Sequence, residues 1–361
     1  MKMQKCITAA ACACAVLAGG LTAQAGSWVG LSSSGVEQTY VDGVPAVFPF
    51  EEDQKIYYPV LYKDAAYIPL RTAAMWMGKN IEWDEETETA TLSGTAEKKI
   101  PSEWGDDGSN DDETWVGWYH CGDSGSAMLR PEFKIVLDGK KLDFTNARGE
   151  TIYPLVFEDA IYLPLRNIGE LTGYQVTWSQ GKKKGENGIF LNTPATDAEF
   201  AEMVEYATEI SNKINSLLKL CNKMKDEGFH FVPGSGTNAI GEQNGRWLFT
   251  DKALAEEWMP QVKARAQEIR STIEKPKYKI LEYSYNRIVN ILDTMIAMAD
   301  PVLERIRSGT DLPCNASSAS VYDMSDRGTL SLFNCGGDTF HEAVRTMMRC
   351  AKREIVWADL P

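Results

Sequence analysis

An internal repeat in the first half of the chain constrains the fold more than any other sequence feature. The segment Ile56–Arg71 recurs as Ile152–Arg166, and both copies end in Tyr-Ile/Leu-Pro-Leu-Arg. Equivalent residues of the two copies lie 95 positions apart. Several of them are rare residue types, and chance would not keep the same offset through all of them. The equivalent pairs are Pro69 and Pro164, Gly78 and Gly173, and Trp83 and Trp178. We therefore expect two copies of one supersecondary unit.

Each copy carries the turn and helix signals of a small α+β unit. Asp42-Gly43 and Asp138-Gly139 favour the positive φ values of a type I′ hairpin turn. Pro69 and Pro164 suit the start of a short helix, and the glycine that follows in each copy suits its end. A tryptophan-containing hairpin comes next. The sequence predicts a small antiparallel sheet packed on one short helix in each copy.

Beyond residue 194 the apolar residues change to alternating spacings of three and four, which is typical of packed helices. Thr196 and Glu199 have capping-box spacing before the first helix, as do Thr339 and Glu342 before the last. A Pro-Gly-rich loop is expected at 233–236, and the region 308–338 is predicted to be loop-rich. Helices are expected over 200–224, 255–273, 281–306 and 340–355. These segments predict an antiparallel helical bundle.

The N-terminus has the pattern of a secretory signal peptide over residues 1–25. Lys2 and Lys5 precede a small, apolar stretch, and Ala23-Gln24-Ala25 has the form that a signal peptidase cleaves. A retained transmembrane helix and a lipoprotein modified at Cys12 or Cys14 are the alternatives. No later segment approaches the ~20 apolar residues of a membrane span. We expect a secreted, soluble protein, either released or held at the cell wall.

The charge balance argues against a nucleic-acid partner. The chain has 51 acidic and 37 basic residues and a formal charge of −14. Removal of the signal would leave 35 basic residues and a charge of −16. Phosphate backbones require neutralisation by Lys and Arg, which this balance does not favour.

The repeated pattern resembles the stalk domain, also called the copper amine oxidase N-terminal-like domain, which occurs in tandem in secreted bacterial proteins. The resemblance covers residues 36–94 and 133–193 and implies a non-catalytic surface or wall module. The oxidase's copper ligands and quinone-forming tyrosine belong to a separate domain. This chain has only His120, His230 and His341, and it lacks the Asn-Tyr-Asp/Glu motif of the quinone. No copper site or other cofactor is expected.

The expected fold class is therefore α+β, with two small antiparallel-sheet-plus-helix stalk repeats followed by a C-terminal antiparallel helical bundle. The predicted domains are a signal peptide (1–25), stalk-like repeat 1 (26–94), an acidic and aromatic connector (95–130), stalk-like repeat 2 (131–194) and the helical bundle (195–361).

Three groups of residues are considered for ligand binding. Arg71 and Arg166 stand in the first turn of their helices, where a cation is unfavourable, so each is expected to pair with a carboxylate or to bind a ligand. The connector's aromatic side chains either stack on sugars or anchor the connector. The acidic run 106–113 is either a solvated loop or a calcium site, although its spacing does not fit an EF-hand. The aromatic candidates are Trp104, Trp115, Trp118 and Tyr119.

Five cysteines would remain after removal of the signal, so at least one has no partner within a monomer. Cys314 and Cys335 bracket a short loop and either form a disulfide or remain thiols. Cys221 lies on the apolar face of the first long helix and is expected to be a buried thiol. The five are Cys121, Cys221, Cys314, Cys335 and Cys350.

The leading hypothesis is a non-catalytic exported module that binds a cell-wall glycan or a surface protein through its stalk half. One alternative is a secreted hydrolase with a site near Cys335 and His341, where a cysteine in a Gly-Gly loop near a helix start would have a lowered pKa. No orienting group for such a site is identifiable in the sequence. The other alternative is a calcium-binding surface protein.

Overall fold

The mixed α+β class is confirmed. A computed structural model describes two compact units. The first unit comprises the described residues up to Ala195 together with Arg353–Ile355, and the second comprises Thr196–Lys352. The described residues are 27–31, 38–46, 59–98, 126–157, 159–180, 187–237, 243–249, 251–308, 313–314 and 339–355. The predicted signal peptide therefore lies outside the described residues.

The first unit consists of short strands and two short helices. In chain order they are β1 (Ser27–Gly30), β2 (Gln38–Val41), β3 (Val44–Pro45), β4 (Val60–Tyr62), β5 (Ala65–Pro69), α1 (Leu70–Met77), β6 (Asn80–Asp84), β7 (Thr89–Ser93), β8 (Ser126–Leu129), β9 (Lys134–Leu137), β10 (Lys140–Lys141), β11 (Phe144–Thr145), β12 (Thr151–Ile152), β13 (Leu155–Phe157), β14 (Ala160–Pro164), α2 (Leu165–Leu171), β15 (Gln175–Ser179) and β16 (Gly188–Asn192).

The local signals of the repeat have the structures that were predicted for them. Asp42 and Asp138 have φ values of 46° and 48°, as a type I′ turn requires. Helices α1 and α2 begin directly after Pro69 and Pro164. Gly78 then ends α1 in the left-handed conformation, with a φ of 65°. Residue types at single positions therefore determine the boundaries of these elements.

The strands pair between the two copies, which differs from the prediction of one separate sheet in each copy. The Asp-Gly hairpin β2–β3 joins β16 of the second copy, and the equivalent hairpin β9–β10 joins β7 of the first. At each junction the backbone N–H of an aspartate donates a hydrogen bond to a leucine carbonyl of the other copy. Asp42 bonds to Leu191 and Asp138 to Leu92, each with an N–O distance of 2.9 Å. Alternation of side chains specifies a strand and its buried face, but it does not specify which neighbour the strand pairs with.

Equivalent strands of the two sequence copies pair with each other at the centre of a six-stranded sheet. Strands β5 and β14 are antiparallel neighbours in the order β1-β8-β13-β14-β5-β4. Ile68 pairs with Leu163, its equivalent in the other copy. Both residues are completely buried, in a core that also contains Trp76 and Ile168. The repeat therefore folds as an interlocked pair within the first unit.

The second unit is mainly helical. Helix α4 packs against α3 and α5, and α6 also packs against α3 and α5. Thr196 N donates a hydrogen bond to Glu199 Oε2 at 2.8 Å, and Glu199 N donates one to Thr196 Oγ1 at 3.3 Å. This reciprocal pair confirms the capping box. The elements are α3 (Asp197–Gly228), β17 (Phe229–Thr237), β18 (Gln243–Phe249), α4 (Lys252–Thr272), a 3-10 turn (Lys279–Leu281), α5 (Glu282–Arg307), β19 (Pro313–Cys314) and α6 (Phe340–Lys352).

A β-hairpin occupies the segment where the sequence predicts a loop. Phe229 pairs with Phe249 at one end, and the register shifts between Pro233 and Thr237. Pro and Gly are depleted in strands, so the Pro-Gly-Ser-Gly stretch masks the strand signal. Pairing with β18 compensates for the poor local preference, and an irregular register accommodates the proline.

Candidate functional site

A cleft of about 650 Å³ lies in the first unit. This volume is within the range of small-molecule binding sites. Four segments form it: the β4–β5 turn, the segment that follows β11, the first turn of α2, and the β15–β16 hairpin. Its polar and aromatic lining consists of Lys63, Asp64, Thr145, Asn146, Arg166, Asn167, Thr177, Trp178, Gln180 and Asn187. The cleft therefore combines residues of both copies.

The first turn of α2 presents its polar side chains to the cleft because Pro164 starts the helix there. Leu165 is buried in the core, whereas Arg166 is exposed. Gly169 lets α2 approach β15 closely, since a Cβ at this position would lie 2.3 Å from Val176 Cγ2. This close packing of helix on strand places Arg166 and Trp178 on the same cleft.

Trp178 is an exposed aromatic ring on this cleft. Its residue surface is 38% exposed, and within the described part of the chain its ring contacts no other aromatic ring. The equivalent Trp83 packs edge-on against Phe133, with ring centroids 5.2 Å apart. Trp83 Nε1 is also buried. Copy 1 therefore uses its tryptophan in packing, and copy 2 leaves a flat apolar face open to a ligand.

Arg166 makes no hydrogen bond or ion pair with any described residue. The carboxylate partner expected for it is therefore not found within the described ranges. Its guanidinium offers five N–H donors in a planar fork. Arg71, the equivalent in copy 1, is half-buried and does not line the cleft.

Neighbouring amide side chains extend the hydrogen-bonding capacity of the cleft. Asn167 Oδ1 is buried and has no hydrogen-bond partner among the described residues. Gln180 is exposed, and Asn187 is buried. Asn146 is held in place because its Oδ1 accepts from Arg148 N at 2.9 Å and from Glu150 N at 3.0 Å. Trp178 and these amide groups therefore line the same cleft.

Charged groups in the cleft do not follow the acidic balance of the whole chain. Lys63 and Arg166 line it together with a single carboxylate among the described lining residues, Asp64. Arg148 Nη2 lies 2.6 Å from Asp64 Oδ2, so this carboxylate already has a cationic partner. The site is locally cationic on a chain of formal charge −14.

Several residues singled out in the sequence lie outside the described residues. They are Trp104, Trp115, Trp118, Tyr119, the acidic run 106–113, His120, Cys121 and Cys335. Stacking by the connector, calcium binding, the Cys314–Cys335 pair and the Cys335–His341 site therefore stay predictions. His341 itself is half-buried in the first turn of α6.

Other predicted features fall on described residues. Cys221 is buried, as predicted, and so is Cys350, whose thiol pKa is raised by burial. Within the described ranges, no group of three or more His, Cys, Asp and Glu side chains is arranged to hold a metal ion. None of the described helices combines the length and the apolar character that crossing a membrane requires.

The sequence singled out Arg166 but missed the rest of the cleft. Trp178 stood out only as a marker of the repeat, because nothing local distinguishes it from Trp83. The longer connection between β15 and β16, compared with that between β6 and β7, is the one sequence signal near Gln180 and Asn187. No known protein family, curated protein or solved structure matches this chain.

Proposed function

We propose that this protein is an exported, non-catalytic surface or cell-wall module that binds glycan through the cleft around Trp178. The observation that carries the proposal is an exposed tryptophan face surrounded by guanidinium and amide groups. The C–H face of a sugar ring packs on such an aromatic surface, and sugar hydroxyls pair with planar polar side chains. This combination matches the general pattern of a largely apolar site with a few placed polar groups.

The charges of the cleft favour binding over glycoside hydrolysis. Most glycosidases require two carboxyl groups on opposite sides of the scissile bond. Among the described residues that line this cleft, Asp64 is the single carboxylate, and it is paired with Arg148. The arrangement supports holding a saccharide in place.

The remaining parts of the proposal concern architecture and location. We propose that the tandem repeat is a pair of stalk domains, on the basis of the repeated Tyr-Ile/Leu-Pro-Leu-Arg pattern. The second unit is proposed to be an antiparallel helical bundle that serves as a spacer or as a docking element for a surface protein. The N-terminal signal pattern supports export.

A co-sedimentation assay with purified cell-wall sacculi tests the function. We expect residues 26–361 to pellet saturably with the sacculi, and Trp178→Ala to weaken the affinity at least about 5-fold, since loss of an aromatic stacking surface costs about 1–3 kcal/mol. Trp28→Ala is the matched control, because Trp28 is 69% exposed and does not line the cleft. Failure of the wild-type protein to pellet, or equal losses in both variants, would contradict the proposal.

A further inference from the structure

The charge of the cleft indicates the chemical class of its ligand. Arg166 and Lys63 face the cleft, and the carboxylate of Asp64 is compensated by Arg148 at 2.6 Å. The chain has 51 acidic and 37 basic residues, so the charge of these lining residues is opposite in sign to the net charge of the protein. A local cationic site attracts an anionic ligand even though the net charge of the protein is negative.

Arg166 is available to a ligand in a way that arginines elsewhere in the first unit are not. Arg130 contacts Glu132, and its Nη2 lies 2.9 Å from Glu88 Oε1. Arg148 is paired with Asp64. Arg166 has neither hydrogen bond nor ion pair with any residue the structure describes, and it is exposed. Its donors are therefore open to a group that enters the cleft.

The shape of the donors favours a carboxylate. The planar guanidinium fork matches the two oxygens of a carboxylate and binds them through two parallel hydrogen bonds. A carboxylate carried on a sugar ring would bring that ring into the same cleft as the Trp178 face. Asn167 and Gln180 provide amide groups that can pair with hydroxyls.

We propose that the cleft binds a carboxylate-bearing saccharide, with Arg166 holding the carboxylate and Trp178 stacking on the ring. This inference rests on the proposed glycan-binding function and narrows its ligand to acidic sugars. Arg166 is then a specificity-determining residue, since the aromatic face alone does not discriminate acidic from neutral sugars.

Competition in the sacculus assay tests this inference with defined probes. A trisaccharide of galacturonic acid and its carboxyl-reduced, neutral form are added to wild-type protein that has pelleted with sacculi. We expect the acidic trisaccharide to release the protein at a concentration at least about 10-fold lower than the neutral form, because hydrogen bonds between charged groups are stronger than those between neutral groups. Raising the salt concentration should reduce this preference.

Variants assign the preference to one side chain. Arg166→Gln should abolish the preference for the acidic over the neutral trisaccharide, while the neutral trisaccharide still releases the protein. Arg166→Lys should retain part of the preference for the acidic trisaccharide. Lys140→Gln removes the same charge at an exposed position outside the cleft and should leave the preference unchanged.

The outcomes separate this inference from the proposed function. If the protein pellets but the two trisaccharides compete equally, or if neither competes, the inference is overturned and glycan binding stands. Loss of preference in both Arg166→Gln and Lys140→Gln would also overturn it. If wild-type protein does not pellet, the proposed function itself fails.

Discussion

Trp83 and Trp178 occupy equivalent positions in the two copies, yet their surroundings differ. Trp83 packs on the Phe133 ring. Arg130 also contacts this phenyl ring, with its Cζ 3.9 Å from the ring centroid. Trp178 has no such aromatic neighbour among the described residues and keeps 38% of its surface exposed. At the scale of the single residue, the same side chain therefore stabilises one copy and is available for binding in the other.

This difference predicts unequal effects of two identical substitutions. Trp83→Ala removes buried contacts and should lower the free energy of unfolding by about 2–4 kcal/mol. Trp178→Ala should change it by less than about 1 kcal/mol, since exposed positions contribute little. Urea denaturation followed by far-UV circular dichroism measures both. Equal destabilisation by the two substitutions would show that Trp178 has a packing role.

Gly169 offers a second prediction at this scale. A Cβ at this position would meet Val176 Cγ2 at 2.3 Å, so α2 or β15 must shift. Gly169→Ala should therefore destabilise the protein by about 1–3 kcal/mol. The double variant with Val176→Ala should recover part of this loss, because it removes the clashing methyl group. No recovery in the double variant would argue against this steric account.

At the scale of the element, side-chain hydrogen bonds join helix ends in the second unit. Tyr278 Oη donates to Glu202 Oε2 at 2.5 Å, and Lys277 Nζ lies 3.2 Å from the same oxygen. These hydrogen bonds, first the one from Tyr278 and then the one from Lys277, lower the pKa of Glu202 below its ordinary 4.5. The contacts tie the start of α3 to the segment that precedes α5.

The lowered pKa of Glu202 predicts how the stability of the protein depends on pH. A carboxyl whose pKa is lower in the folded state binds fewer protons there, so its contribution is complete above pH 4.5 and is lost as the pH falls through the lowered value. Glu202→Gln should therefore reduce the thermal midpoint at pH 7 slightly and flatten its decline in acid. Thermal unfolding at several pH values checks this, with exposed Glu257→Gln as the control.

At the scale of the whole first unit, neither copy completes its own sheets. The hairpin β2–β3 pairs with β16, β7 pairs with β9, and β5 pairs with β14. Every one of these ladders joins the two copies. Because the cleft uses the β4–β5 turn of one copy and the α2 and β15 residues of the other, its geometry also depends on this pairing.

Separation of the copies should therefore abolish folding. A fragment of residues 26–98 keeps the hairpin partners of β2, β5 and β7 but lacks β16, β14 and β9, their partners from the other copy. We expect it to be unfolded as a monomer, or to form a dimer in which two fragments exchange hairpins. Sedimentation and circular dichroism distinguish these outcomes from the opposing one, a monomeric fragment with a cooperative thermal transition.

Local sequence determined the elements of this protein because each depends on neighbouring residues. Asp-Gly turns, proline before a helix, glycine at its end and the Thr196 cap act through backbone conformation over a few positions. The four long helices also follow from their apolar spacing, with ends within a few residues of those predicted. The hairpin at 229–249 was missed because its proline and glycines oppose the strand that pairing stabilises.

Tertiary structure alone decided the strand partners and the cleft. Two copies with nearly the same pattern allow pairing within a copy or between copies, and local preference is the same for both. The choice of partners brings Asp64 and Arg166 together, although about a hundred residues separate them. It also packs Trp83 against Phe133, whereas Trp178 stays exposed. The sequence thus determined which elements form, and long-range packing determined which side chains meet, because burial depends on neighbours that are distant along the chain.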